Sequence, residues 1–323
     1  MLSIFRQILA RAHSGESCAL CTIVRTLGST PQARGAAMLV LQDGKTMGTL
    51  GGGCVEAEVR SRALQLLPAG PSRLLTFRLD QDYGWDDGLV CGGVMDVAVL
   101  RIGPGQVPPS IQVACNELEA GRSVEIPLDV TADDGQPRHF TLPIAATPKL
   151  LIAGAGHVGQ ALAAMAAMCE FAVTVVDDRN DLLDERRFPT ARRIGGEIQS
   201  TLGHWPIDAD TYVVIVTRGH RHDADALAAV VRSPAAYVGL IGSKRKIRAI
   251  FAELHREGIG LEHLERVHAP IGLEIGAVTP AEIAVSILAE LISKRHGCDG
   301  AISMKMRPDR VAAYLLKAVP TPK

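Results

Sequence analysis

Short apolar runs and longer amphipathic segments alternate through the second half of the chain. Strand-like runs rich in β-branched residues lie at 150–153, 171–176, 212–217, 237–241 and 266–269. Segments with helical spacing separate them, among them 224–231 and 244–256. Strand and helix patterns that alternate at this interval are typical of a parallel sheet with helices on both faces. We therefore predict an α/β domain in this half of the chain.

The first half has a mixed pattern. Helical spacing predicts helices over 1–13, 57–67 and 111–118. Strand-like runs lie at 18–25, 36–41 and 95–101, and two short strands are expected around the turn at 133–135. Thr147-Pro148 and the glycine- and proline-containing segment before it indicate a domain boundary near 145–149. The prediction is a smaller N-terminal α+β domain over 1–148 and a C-terminal α/β domain over 149–323.

A glycine-rich turn joins the first strand of the C-terminal domain to its first helix. The turn reads Gly154-Ala155-Gly156-His157-Val158-Gly159, and the next strand ends at Asp177. In a Rossmann unit, such a turn places a helix N-terminus against a pyrophosphate, and an acid at this position binds a ribose hydroxyl. We predict that Gly154, Gly156, His157, Gly159 and Asp177 bind a cofactor. The alternative is a Rossmann-like domain that has lost its ligand and kept the glycines for packing.

Two further polar clusters follow strands of the same predicted sheet. One contains Arg218 and His220, and the other contains Gly242, Ser243 and Lys244. Ligands of open α/β sheets bind at such carboxyl ends. Cations at a helix start oppose the helix dipole, so the second cluster favours an anionic ligand. The acid and histidines at 220–223 form either a metal site or polar contacts to a ligand or to the neighbouring domain.

The loop at 26–35 combines glycine, proline, hydroxyl groups and a cation between two predicted strands. Ser29, Thr30 and Arg34 are its candidate binding residues. Loops of this composition are suited to hold an oxyanion or a phosphate. An ordinary hairpin connection is the alternative.

Glycine-flanked cysteines occur twice in the N-terminal domain. Gly52, Gly53 and Cys54 precede a predicted helix, and Cys91 precedes two glycines. A helix N-terminus lowers the pKa of a thiol, so Cys54 is a candidate nucleophile or soft metal ligand. The alternative is a packing role for the glycines, with an inert, buried thiol.

Composition and charge exclude several classes of protein. The formal net charge is -1, from 34 basic and 35 acidic residues, which excludes a broad footprint for nucleic acid. Apolar runs are interrupted before they could span a bilayer, and Arg6 and Arg11 break any signal-peptide core, so a cytoplasmic protein without a membrane partner is predicted. The seven cysteines do not form a disulfide framework. Cys18 and Cys21 have C-x-x-C spacing, but a buried strand is favoured there over metal or redox work.

Motifs along nearly the whole chain resemble those of one known family. In order, they are GSTP at 28–31, GGGCVE at 51–56, CGG at 91–93, GAGHVG at 154–159, VVDDR at 175–179, TRGHRHD at 217–223, GLIGSKRK at 239–246 and APIGLEIGAVTPAEIAVSILAE at 269–290. They resemble the XdhC/CoxI family of xanthine dehydrogenase accessory proteins. Only the region from about 103 to 148 lacks a matching motif.

The resemblance implies a maturation factor rather than a metabolic enzyme. Proteins similar to this one bind the molybdenum cofactor (molybdopterin), support its sulfuration with a cysteine desulfurase, and insert it into the apoenzyme of a xanthine dehydrogenase-type molybdenum hydroxylase. On that basis, we expect the glycine loops and Arg34 to hold the pterin phosphate. Cys54 or Cys91 would lie near the molybdenum, because thiolates suit soft metal chemistry. The apolar C-terminal helix is compatible with a homodimer, and the sequence leaves the oligomeric state open.

Two other functions are consistent with the Rossmann pattern. An NAD(P)-dependent oxidoreductase would use NAD through Asp177 or NADP through Arg179, since an arginine near the acid accommodates a 2′-phosphate. Its available proton donors are His157, His220 and His222, although the sequence places none of them beside a substrate pocket. A nucleotide-sensing regulatory protein would bind the same dinucleotide without chemistry.

Overall fold

The computed structural model describes residues 1–79 and 92–298. The chain divides into two compact units between Ala146 and Thr147. Across the described residues, no helix has both the length and the apolar character needed to cross a membrane.

The N-terminal unit is built on a seven-stranded sheet with the order β3-β2-β1-β5-β4-β6-β7. All neighbouring strands are antiparallel except β4 and β6, which are parallel. Its elements are α1 (Leu2–His13), β1 (Cys18–Leu27), β2 (Ala37–Leu41), β3 (Thr46–Gly48), α2 (Gly53–Leu66), β4 (Arg73–Arg78), β5 (Val94–Ile102), α3 (Pro109–Glu119), β6 (Val124–Thr131) and β7 (Pro137–Ile144).

Alternation along β1 gives this sheet two apolar faces. Leu20 and Val24 pack with α1 and α3 on one face, whereas Cys21 and Ile23 pack with α2 on the other. Cys18 lies on the first face, so the two cysteines of the C-x-x-C spacing point to opposite sides of the sheet. Burial raises the pKa of Cys18 to about 11 and raises that of Cys21 further. The prediction that both lie in a buried core strand is confirmed.

The C-terminal unit contains a six-stranded sheet with the order β10-β9-β8-β11-β12-β13, in which all pairs are parallel. Its strands are β8 (Lys149–Ala153), β9 (Ala172–Asp177), β10 (Arg192–Gly195), β11 (Thr211–Ile215), β12 (Tyr237–Leu240) and β13 (Val267–His268). Its helices are α4 (His157–Met168), α5 (Ile198–Gly203), α6 (His220–Val230), α7 (Lys244–Arg256), α8 (Leu261–Glu265) and α9 (Pro280–Arg295).

This strand order is that of a doubly wound Rossmann fold, with its switch point between β8 and β11. Helices α4 and α9 cover one face of the sheet, and α5 to α8 cover the other. The predicted α/β fold with helices on both faces is confirmed. The last helix, α9, begins at Pro280, where Thr279 at the N-cap and Glu282 form a capping box.

Several short elements were not predicted from the sequence: β3, β4, β10, α5 and α8. Each has between three and six residues, which is too short for a hydrophobic period to stand out. The edge strand β10 reads RRIG and buries none of its four residues. Its assignment depends on pairing with β9, which is information the local sequence does not carry.

The glycines of the first C-terminal turn have different structural roles. Gly154 has φ +118°, and a Cβ there would lie 2.4 Å from the Val216 carbonyl oxygen. A Cβ at Gly159 would lie 2.0 Å from the Gly154 carbonyl oxygen. At Gly156, by contrast, φ is -69° and a Cβ would meet nothing within 4 Å. Gly154 and Gly159 are therefore required by the fold, whereas Gly156 borders open space.

Replacement of these glycines by alanine tests the distinction. Gly159→Ala should destabilise the C-terminal unit by about 3 kcal/mol, because backbone must move to admit the new Cβ. Gly156→Ala is the matched control and should change stability by less than about 1 kcal/mol. Denaturant unfolding measures both free energies. Equal losses in the two variants would contradict the packing role given to Gly159.

Candidate functional site

The carboxyl ends of four parallel strands bring the predicted C-terminal residues to one edge of the sheet. The glycine turn follows β8, Asp177 ends β9, Arg218 and His220 follow β11, and the segment 242–244 follows β12. Because β9, β8, β11 and β12 are adjacent in this order, the loops border the crevice where the strand order reverses. The residues along this edge are Gly154, Gly156, His157, Gly159, Asp177, Arg218, His220, Gly242, Ser243 and Lys244.

Asp177 is 1% exposed, and its carboxylate is engaged within the chain. Oδ2 accepts from the Ala155 N–H at 2.6 Å and from Arg179 Nη2 at 2.9 Å. Oδ1 accepts from the N–H and the Nε of Arg179, each at 2.9 Å. Burial alone would raise the pKa of Asp177, but these hydrogen bonds and the Arg179 charge outweigh it and hold the pKa well below its usual range.

This geometry does not fit the predicted contact between Asp177 and a ribose hydroxyl. An ionised carboxylate offers about four lone-pair sites, and four hydrogen bonds already occupy Asp177. The carboxylate instead braces the glycine turn against the end of β9. An acid at position 177 is expected whether it binds a ribose or holds the glycine turn. The conformation of the Arg179 side chain decides which of these roles Asp177 has.

Two more arginines contact the loops around this turn. Arg187 Nη2 donates to the Ala155 carbonyl oxygen at 2.8 Å. Arg218 Nη2 lies 2.9 Å from Asp178 Oδ2 in an ion pair. Since β8 lies between β9 and β11, the pair of Arg218 and Asp178 spans the carboxyl end of β8. Guanidinium groups therefore lie on both sides of the predicted phosphate turn.

A buried aspartate ties the starts of α6 and α7 together. Asp223 is 0% exposed, accepts a hydrogen bond from Thr217 Oγ1 and forms an ion pair with Lys246 Nζ. Lys246 lies in the first turn of α7, where the helix dipole disfavours a cation. Its pairing with a buried carboxylate provides a structural reason for this position. For Lys246, the misplaced charge therefore does not require an anionic ligand.

The polar clusters at 217–223 and 242–246 are also engaged with each other. His220 Nε2 lies 3.0 Å from Glu253 Oε2 on α7. The Ser243 hydroxyl caps α7 by accepting from the Lys246 N–H at 3.3 Å. Over residues 1–79 and 92–298, no three His, Cys, Asp or Glu side chains are grouped to hold a metal ion. The metal alternative for the segment 220–223 therefore does not fit, since Asp223 faces Lys246.

Loops of the N-terminal unit converge beyond the end of β1. Ser29 forms an isolated parallel bridge with Gly92. A Cβ at Gly93 would lie 2.1 Å from the Ser29 carbonyl oxygen, and one at Gly51 would lie 2.5 Å from Pro31 Cβ. The predicted loop at 26–35 therefore packs against both the glycine turn at 51–53 and the glycine pair at 92–93.

Glu56 holds the glycine turn that precedes α2. Its Oε2 accepts from Thr49 Oγ1 at 2.7 Å, from the Leu50 N–H at 2.9 Å and from the Gly52 N–H at 3.0 Å. Burial would raise the pKa of Glu56, but these hydrogen bonds outweigh it and lower the pKa. A carboxylate in the first turn also interacts favourably with the helix dipole.

Cys54 lies in the first turn of α2, half-buried, directly after two glycines. Gly52 and Gly53 have φ values of +76° and +67°, and a Cβ at either would meet nothing within 4 Å. The N-cap Gly52 contributes no side-chain cap. An approaching anion would therefore meet backbone N–H groups beside a thiol. Cys91, the second predicted thiol, lies outside the described residues.

Two predicted binding residues of the loop at 26–35 have contacts within the unit. The Thr30 hydroxyl donates to the Gln32 carbonyl oxygen at 2.9 Å. Arg34 Nη2 donates to the Thr141 carbonyl oxygen of β7 at 2.6 Å. This hydrogen bond directs the Arg34 side chain toward β7 rather than toward the glycine turn at 51–53.

Glu56 and Arg187 were not predicted as site residues. Glu56 has a detectable signal, because an acid in the first turn after three glycines is a candidate acceptor for the N–H groups of that turn. Arg187 has no such signal. It lies in the irregular segment between β9 and β10, and only the tertiary structure brings it to Ala155.

Two family profiles match this chain. One, the XdhC Rossmann domain, covers residues 150–291, and the other, the XdhC and CoxI family, covers residues 11–78. The chain belongs to the XdhC and CoxI family, which confirms the resemblance inferred from its motifs.

Known proteins from two bacteria are similar over most of this chain. YqeB, an uncharacterized protein of Escherichia coli (strain K12), is 30% identical over 310 residues, which are 94% of this chain and 48% of YqeB. The chain thus spans about half the length of that relative. A probable xanthine dehydrogenase subunit of Bacillus subtilis (strain 168) is 27% identical over 320 residues, covering 87% of this chain and 94% of the relative. The molybdenum cofactor insertion chaperone PaoD of Escherichia coli (strain K12) is 27% identical over 305 residues, covering 91% of this chain and 88% of PaoD.

A solved structure has the same fold. It is a crystal structure of a xanthine dehydrogenase from Bacillus halodurans, with a TM-score of 0.77 and 24% identity. The match covers 93% of this chain and 98% of that chain.

Removal of Glu56 should loosen the turn that carries Cys54. Glu56→Ala leaves two backbone N–H groups and a hydroxyl without their acceptor, so we expect a loss of about 1–3 kcal/mol in the stability of the N-terminal unit. Glu58→Ala is the control on the same helix. Its ion pair with Arg62 is largely exposed, so its loss should change stability by less than about 0.5 kcal/mol. Denaturant unfolding gives the free energies, and faster amide exchange at residues 50–52 should accompany only the Glu56 variant.

The brace formed by Asp177 predicts a pH-dependent loss of stability. Asp177→Asn should cost about 2 kcal/mol at neutral pH, because charged hydrogen bonds to Arg179 are lost. The folded pKa lies below the unfolded value of about 3.9, so this contribution is fully present above that pH and is lost as pH falls below it. The difference between parent and variant should stay constant from pH 8 to 5 and shrink below about pH 4. Asp178→Asn is the control, and an equal loss there would contradict the brace.

Proposed function

We propose that this protein binds the molybdenum cofactor and inserts it into a molybdenum hydroxylase of the xanthine dehydrogenase type. Two relatives support this function through their names, which describe a probable component of xanthine dehydrogenase and a molybdenum cofactor insertion chaperone. The chain covers 94% and 88% of these relatives, so the likeness extends over nearly their whole length. The cofactor is cargo in this proposal, bound in one state of the protein and released to the hydroxylase.

The observation that carries the proposal is the position of Cys54 at the start of α2. Cys54 follows two glycines whose positive φ values turn the backbone, with open space where their side chains would be. A thiol in this position has the soft donor that molybdenum and sulfur chemistry require. No other described cysteine of the N-terminal unit is comparable, because Cys18, Cys21 and Cys115 are buried.

The surrounding loops suit the anionic part of the cargo. Molybdopterin has a terminal phosphate, and backbone N–H groups at an uncapped helix start are a favourable seat for it. The loop that contains Ser29 packs against this turn through Pro31, which lies beside Gly51. Glu56 fixes the turn by its hydrogen bonds to Leu50 and Gly52, so the seat is ordered before the cargo arrives.

The finer steps of the proposal are those that the family resemblance implies. A cysteine desulfurase supplies sulfur while the cofactor is held, with Cys54 near the molybdenum. The hydroxylase apoenzyme then accepts the sulfurated cofactor. A homodimer stays a prediction from the apolar C-terminal helix.

Cofactor content of purified variants tests the proposal. Cys54→Ala should retain less than about a tenth of the molybdopterin that co-purifies with the parent from a molybdenum-replete host, since a metal-proximal thiolate contributes a strong contact. Cys91→Ala tests the second thiol predicted from the sequence. Pterin fluorescence after oxidation and molybdenum analysis measure the content.

The control is Cys298→Ala, which removes an exposed thiol of the C-terminal unit. It should leave cofactor content unchanged. If Cys54→Ala and Cys91→Ala both carry as much cofactor as the parent and still yield active hydroxylase, the proposed role of the thiols is wrong.

A further inference from the structure

Most arginines of the C-terminal unit contact other groups of the described chain. Arg179 pairs with a carboxylate, Arg192 lies over the Trp205 ring, and Arg295 donates to a backbone carbonyl group. Among residues 147–298, the guanidinium groups without a hydrogen bond, ion pair or ring contact to the described chain are those of Arg186, Arg221, Arg245 and Arg248. All of them are exposed. Apart from Arg186, they lie in the first two turns of α6 and α7.

Contacts between α6 and α7 bring the starts of these two helices together. Asp223 of α6 pairs with Lys246 of α7, and His220 Nε2 lies 3.0 Å from Glu253 Oε2. The exposed cations at the two helix starts therefore lie in one region. Lys244 is among them, since it is exposed and has no hydrogen bond or ion pair within the described chain. We call the basic surface the set of Arg221, Lys244, Arg245 and Arg248.

Nearby carboxylates do not neutralise the basic surface. They are Asp178, Asp223, Asp225, Glu253 and Glu257. Asp178, Asp223 and Glu253 each have a partner outside the basic surface. Asp225 is half-buried and forms no ion pair with Arg221, although the two are four residues apart on α6. Glu257 follows the far end of α7. An excess of positive charge therefore remains at this surface.

Helix stability does not explain these cations. Lys244 and Arg245 lie in the first turn of α7, where the helix dipole disfavours positive charge. Arg248 follows Lys244 by four residues, and like charges at this spacing repel each other. On α2, by contrast, Glu58 and Arg62 have opposite charges at the same spacing and form an ion pair. The charge pattern of α7 weakens the helix, so it indicates a binding partner.

The surroundings of the basic surface favour a protein as this partner. The large apolar residues of α7 all pack on the core of the unit: Ile247, Ile250, Phe251 and Leu254. The exposed positions near the cations are small, at Ala249 and Ala252. A membrane-binding helix needs large apolar side chains beside its cations, and the net charge of -1 does not suit nucleic acid. Arginine is enriched at protein interfaces, where its planar guanidinium binds a carboxylate through two N–H groups.

We infer that the basic surface is the docking site for the molybdenum hydroxylase, and that it contacts a cluster of carboxylates on that partner. The inference rests on the proposed function and names the surface through which the acceptor is met. A carrier must bind its acceptor and leave it again. Charged surfaces favour fast association, and the lack of large exposed apolar side chains on α7 suits a transient complex.

Binding kinetics of the full-length protein with the hydroxylase apoenzyme test this surface. The apoenzyme is purified from a host that cannot make the cofactor, and surface plasmon resonance gives the association rate constant. For the parent, this constant should fall about tenfold between about 0.05 and about 0.5 M NaCl, because salt screens the attraction. The double variant Arg245→Glu/Arg248→Glu should associate about tenfold more slowly at low salt and lose most of the salt dependence.

The matched control is Arg186→Glu. It makes the same change of charge at an exposed arginine of the same unit that has no side-chain contact in the described chain. Its association rate constant should change less than about twofold. A glutamate at position 245 suits the helix dipole, so the double variant should unfold at no lower a temperature than the parent. Its cofactor content should equal that of the parent.

The inference is overturned if the parent does not bind the apoenzyme, if the double variant associates like the parent, or if Arg186→Glu slows association as much. It is also overturned if the double variant keeps its binding to the hydroxylase and loses binding to the cysteine desulfurase, to a DNA duplex or to phosphatidylglycerol vesicles. These results are separable from the delivery function. If the double variant inserts cofactor as well as the parent does, delivery stands and the docking surface is lost. A parent that binds the apoenzyme through this surface but never carries cofactor does the reverse.

Discussion

Two glycine-rich turns of this protein, before α2 and before α4, are each held by a carboxylate that accepts backbone N–H groups. Glu56 holds the turn before α2 through Leu50 and Gly52, and Asp177 holds the turn before α4 through Ala155. Glycines have no side chain with which to fix a loop, and their conformational freedom makes a turn costly to order. A charged acceptor from a neighbouring element offsets that cost. Both candidate sites depend on this arrangement, because it fixes the backbone that a ligand would contact.

The long periodic elements of the fold were predictable from the sequence, and so was the family. The pattern of β8, α4 and β9 defines a Rossmann unit, since strand, glycine turn and helix each have a strong local signal. The sites were less predictable. An acid at position 177 is compatible with a ribose ligand and with a brace, and only the side-chain conformation of Arg179 distinguishes them. Arg187 reaches the turn from an irregular segment, which no periodicity reveals.

A cation in the first turn of a helix has two possible explanations. Lys246 lies where the dipole disfavours it, and this feature predicts either an anionic ligand or a buried counterion. The structure provides the counterion, Asp223, which also accepts a hydrogen bond from the Thr217 hydroxyl. The loops after β11 and β12 are thereby fixed relative to each other. Arg218, just before α6, also has a carboxylate partner, Asp178, but this ion pair is partly exposed.

The buried cysteines bear on the fidelity of sulfur handling. Cys18, Cys21 and Cys115 are enclosed in the core of the N-terminal unit, and burial raises the pKa of each thiol. A protonated, inaccessible thiol is a poor nucleophile toward a persulfide or an oxidant. Sulfur passed to this unit by a donor enzyme would therefore not be diverted to these three side chains. Cys54, at the start of α2, is only half-buried.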